Sequence, residues 1–124
     1  HSDDNYIAYT FFVKNDGKEN VNYKTKIVVE SVIKNVDEAV RVALYTNGER
    51  KVYAKKAKDG NAEPNTISFL SNHLIMQQDR NNIKPGEIDR YTVVVWLEGK
   101  DPECIDDIIG GEMKMAMVIT EKTD

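Results

Sequence analysis

The sequence predicts an all-β domain: a two-layer antiparallel β-sandwich with one short helix near residues 102–109. Three observations predict it. Seven or eight runs of strand character follow at short spacing, turn residues separate them, and a single short stretch carries helix signals. A jelly roll is the expected form, and an immunoglobulin-like sandwich is the alternative. The 124 residues, 40% hydrophobic and 31% charged, suffice for one domain with a buried core. That domain is expected over residues 6–120, after a tag remnant or disordered lead at 1–5 and before a tail at 121–124.

Tyr6–Lys14 is apolar on both faces, which suits a strand covered on both sides. Asn15-Asp16-Gly17 then supplies turn chemistry. Val21–Lys34 alternates cleanly, with Tyr23, Thr25, Ile27 and Val29 on one face and Lys24, Lys26 and Glu30 on the other. A strand of that length is expected to bend or bulge midway. Asn35–Ala39 breaks the pattern as a turn or a single helical turn.

Val40–Lys56 reads as a hairpin around Asn47-Gly48. A two-residue turn there pairs Val42 with Tyr53 and Leu44 with Lys51. A three-residue loop, Thr46-Asn47-Gly48, pairs Val42 with Val52 instead. It gathers Val40, Val42, Leu44, Val52 and Ala54 on one face, with Arg41, Lys51, Tyr53 and Lys55 opposite. The apolar pattern favours the three-residue loop.

Lys58–Asn65 is loop, and Thr66–Leu70 and Leu74–Asp79 are short strands, the second also readable as a helical turn. Asn81-Asn82 and Pro85-Gly86 are turns. Ile88–Leu97 closes on a continuous apolar run that suits a central strand. Asp101 and Pro102 carry N-cap and first-turn signals, and Gly110-Gly111 ends that short helix. Met113, Met115, Met117 and Ile119 then make the inward face of a last strand.

The net charge of −4 excludes a general nucleic-acid binder, and no apolar run is long enough to span a membrane as a helix. The single Cys104 can form no internal disulfide, and without a placed His it has no case as a nucleophile; a partly buried thiol under the helical turn is the expectation. His1 and His73 make no zinc site, and His73 reads as a loop residue. Asp101, Glu103, Asp106 and Asp107 are calcium candidates by composition, but their spacing misses an EF-hand. Charge at a helix N-terminus and on a solvated face explains them better. No catalytic residue, cofactor or metal is therefore expected, and no enzyme. Most tyrosines lie at strand spacing, where packing is the ordinary role. Tyr45, Tyr53 and Lys55 are the exception, because the three-residue register places them on an exposed face as an interaction surface.

Three stretches together resemble a known family. They are Tyr6–Asn15 (YIAYTFFVKN), Asn35–Val42 (NVDEAVRV), and the run from Pro85-Gly86-Glu87 through Trp96-Leu97-Glu98-Gly99, Asp101-Pro102-Glu103-Cys104 and Gly110-Gly111. Over Tyr6–Met117 the chain resembles the TasA/camelysin-like exported proteins of Gram-positive bacteria. That resemblance implies export through a signal peptide, a jelly-roll sandwich, and a place at the cell surface or in the extracellular matrix of a biofilm. It also implies fibres in which a segment of one subunit completes the sheet of the next, so that the partner is a second copy or another surface protein. The metalloprotease activity described for camelysin is not carried over, because no residues here supply a metal site and a base. A β-sandwich binding module for carbohydrate or a protein partner is the rival reading.

Overall fold

A computed structural model describes residues 6–33, 36–57, 59–97 and 113–122. Among these residues eight strands form two sheets. They are β1 (Tyr6–Lys14), β2 (Val21–Val32), β3 (Val40–Thr46), β4 (Glu49–Ala54), β5 (Ile67–Ser68), β6 (Leu74–Ile83), β7 (Ile88–Leu97) and β8 (Met113–Lys122). One sheet has the order β1-β7-β3-β4-β5 and the other β6-β2-β8. All neighbours are antiparallel except β4 and β5. The two sheets pack face to face as the all-β sandwich that the alternation predicts. The expected helix at 102–109 lies outside the described residues.

The core is the meeting of two alternating faces. From the large sheet come Val40, Val42, Leu44, Tyr53, Tyr91 and Val95. From the small sheet come Tyr23, Ile27, Val29, Ile75, Met76 and Met113. Phe11 of β1 stacks on its cross-strand partner Tyr91, with ring centroids 5.2 Å apart.

β2 keeps its predicted inward face from Tyr23 to Val29, then shifts register between Val29 and Ser31. That bulge reverses the phase. Val32 packs against the core, while Ile33 is 53% exposed.

Three expectations are corrected. β1 is not covered on both sides: among the described residues it forms a sheet edge, and Tyr6, Tyr9 and Phe12 are 54%, 57% and 62% exposed. The β3–β4 turn has two residues, with Thr46 opposite Glu49 and Val42 opposite Tyr53. Asn47 (φ 51°) and Gly48 (φ 93°) are both left-handed, which matches the twist of a tight hairpin. The face argument failed because the central strand β3 is buried on both sides from Val40 to Leu44. Asn81-Asn82 is no turn, since β6 runs on to Ile83 with Asn82 left-handed (φ 58°) at a bulge beside β2.

Candidate functional site

Two features stand apart from ordinary packing: a buried polar cluster joining the sheets at one end, and an open side where two edges meet.

The cluster centres on Asp89, which is 1% exposed. Its place follows from alternation. Asp89 shares the inward face of β7 with Tyr91, Val93 and Val95. Arg80 of β6 donates to both carboxylate oxygens, at 2.8 and 3.1 Å. The Tyr23 hydroxyl donates at 2.5 Å and is itself 2.6 Å from the Tyr91 hydroxyl. Asn47 donates from its amide at 3.0 Å, while its side-chain oxygen accepts the Arg90 backbone N–H at 2.8 Å.

Burial alone would push the Asp89 carboxyl up. Hydrogen bonds from Arg80, Tyr23 and Asn47 outweigh it and hold the group down to about 2. The same hydrogen bond to Asp89 raises Arg80, and burial followed by the Asp89 contact raises Tyr23 far above the usual phenol range. The cluster is therefore a fixed ion pair with fully donated hydrogen bonds. It ties β2 and β6 to β7 and the β3–β4 turn, and holds no group poised to exchange a proton near neutrality.

Among the described residues the sandwich is open on the opposite flank. Among the described residues β1 pairs only with β7, and β8 only with β2. Between these two edges runs an apolar groove of about 290 Å³. Tyr9 and Phe11 line it from β1, Met115, Ala116 and Met117 from β8, and Ile27 lies in its floor. The β1–β7 register has no shift over nine residue pairs, so the edge is straight and unbulged. β1 holds no proline, and its only charge is Lys14 at the far end. Natural edges are usually blunted by lysines, prolines or bulges, and this one has almost none of those devices.

The predicted interaction residues do not come together. Tyr53 is 7% exposed and points into the core, whereas Tyr45 lies half-buried on the outer face. Lys55 binds Asp37 at 2.9 Å. The two-residue turn is the cause, because it moves Tyr53 to the face of Val42.

His73 lies exposed in the turn before β6. The calcium candidates Asp101, Glu103, Asp106 and Asp107, like Cys104, lie outside the described residues. Among the described residues no three His, Cys, Asp or Glu side chains group as metal ligands. No helix among them is long and apolar enough to cross a membrane. The Asp89 cluster escaped the sequence reading. Its one available signal was an acid in phase with an apolar face. Comparison with family models, curated proteins and solved structures finds no match to this chain, so the functional reading rests on its geometry and on the resemblance of its motifs.

Proposed function

We propose that this is an exported structural protein of the cell surface or extracellular matrix, without catalytic activity, that assembles by strand addition. The observation that carries the reading is the β1 edge. It is nine residues long, unshifted, rich in exposed aromatics and set beside the apolar groove. A strand entering there pairs with the side of β1 that has no neighbour among the described residues, and covers Tyr9 and Met115 in one step. The resemblance to TasA/camelysin-like proteins supports the surface location and names the same mode of assembly, with a second copy as donor.

The test is negative-stain electron microscopy and sedimentation of the mature protein beside its Tyr9→Lys variant. Tyr9 is 57% exposed, so the fold tolerates the change, but a charge in the groove opposes an incoming apolar strand. Filaments or large oligomers from the parent and dispersed particles from the variant are expected, with matching melting curves. A parent that stays dispersed across wide ranges of concentration and pH would sink the reading.

A further inference from the structure

The outer face of the five-stranded sheet differs in character from the rest of the chain. Its register sorts the side chains into rows that cross the strands. One row is Tyr6, Trp96, Arg41 and Ala54. The next is Ala8, Val94, Ala43 and Val52. The third is Thr10, Thr92, Tyr45 and Arg50, and beyond it Phe12 faces Arg90. Short side chains fill the middle row and longer ones dominate its neighbours. The middle row is thus the floor of a shallow trough. Crossing four strands, it runs about 14 Å, from three spacings of about 4.8 Å.

Two depressions lie along the trough. One, of about 370 Å³, is bounded by Trp96, Arg41, Arg50, Val52 and the loop at Glu63–Thr66, whose one acid, Glu63, pairs with Arg41. The other, of about 300 Å³, is bounded by Tyr45, Arg90, Thr92 and Val94. A hydrogen bond from Arg50 Nε to the Tyr45 hydroxyl, at 3.1 Å, forms the ridge between them.

The charge on this face is the reverse of the chain's. Of 21 acidic residues in the sequence, none occupies an outward position on β1, β7, β3 or β4, while Lys14, Arg41, Arg50 and Arg90 all do. Lys14 reaches Asp16, and Arg41 is held by Glu63 and two backbone carbonyls. Arg50 and Arg90 are exposed and have no carboxylate partner among the described residues. Both flank Tyr45, and Arg50 keeps its two terminal nitrogens beyond the Nε bond to that hydroxyl.

We propose that this trough binds an acidic polysaccharide. The apolar face of a sugar ring lies against Tyr45, and carboxylates of the chain pair with Arg50 and Arg90. Aromatic rings give flat apolar contact, and a guanidinium fork matches a carboxylate with two parallel hydrogen bonds. A nucleic acid suits the face less well. Duplex DNA carries a charge about every 1.7 Å and is held by many cations, whereas this acidic chain offers two open guanidinium groups here. The trough lies on the outer face rather than in the groove between β1 and β8, so the inference goes beyond strand assembly and is tested separately from it.

The experiment is an amide NMR titration of the Tyr9→Lys protein with oligogalacturonate, a neutral cello-oligosaccharide and single-stranded DNA. Oligogalacturonate is expected to shift the amides of Tyr45, Thr92, Val94 and Trp96, and the effect is expected to fade at high salt. Combining Arg50→Ala with Arg90→Ala is expected to weaken binding about tenfold or more, with the melting curve retained because both side chains are exposed. Absence of shifts at millimolar oligogalacturonate overturns the proposal. So do shifts confined to another surface, full affinity in the double variant, or tighter binding of the DNA or the neutral glycan.

Discussion

At Asp89 the molecule holds a full charge where water does not reach, and three donors make it tolerable. The sign of the pH effect follows. The folded carboxyl titrates at about 2, below its ordinary 3.8. The fold therefore favours the ionised form. This stabilisation is complete above about pH 4 and is lost as pH falls towards 2, by about 2 kcal/mol. Asp89→Asn removes that dependence and leaves Arg80 without its counter-charge, at a cost of about 3 kcal/mol at neutral pH. Urea unfolding of both proteins between pH 2 and pH 6 measures it. A variant with the parental slope between pH 2 and pH 4 would place the acid sensitivity elsewhere.

The β3–β4 hairpin shows how a local element depends on distant residues. Gly48 has φ 93° and open space around its Cβ position. Gly48→Ala therefore costs backbone strain alone, about 1 kcal/mol, read as a fall in the denaturation midpoint. No change would mean that the turn relaxes into another type. The register of this hairpin was not legible in the sequence, because β3 is buried on both faces and either pairing gives plausible partners. What decides it is the Asn47 side chain, held by Asp89 and Arg90 more than forty residues further on. The interaction surface drawn from Tyr45, Tyr53 and Lys55 failed with that register. β2 was legible because one of its faces is solvated, so polar and apolar residues alternate. β1 misled for the opposite reason. Aromatics on both faces read alike whether a strand is central or an exposed edge. Asn82 read as a turn because its left-handed backbone suits turns and bulges equally.

At the scale of the whole molecule, five of the seven connections between successive described strands pass from one sheet to the other, and among them β3–β4 is the one tight hairpin. The pairings are correspondingly remote: Thr10 of β1 meets Thr92 of β7, 82 residues away. Loops that long must close before the contacts they enable stabilise anything, which places such folds among the slow ones. β8 carries Met113, Met115 and Met117 to the core and pairs with β2 along its length. A chain ending at Leu97 is expected to stay unfolded, with collapsed amide dispersion in its NMR spectrum. A native-like spectrum from that shortened chain would show that β8 is an accessory.

The pairing of β1 with β7 and of β2 with β8 also sets an order of events during synthesis. A polypeptide leaves the ribosome N-terminus first, so the two earliest strands emerge long before their partners exist. Until residues 113–122 have appeared, β2 lacks one of its two neighbours and the sandwich lacks an edge. Residues 6–97 thus cannot complete this sandwich until the last of residues 113–122 has been made.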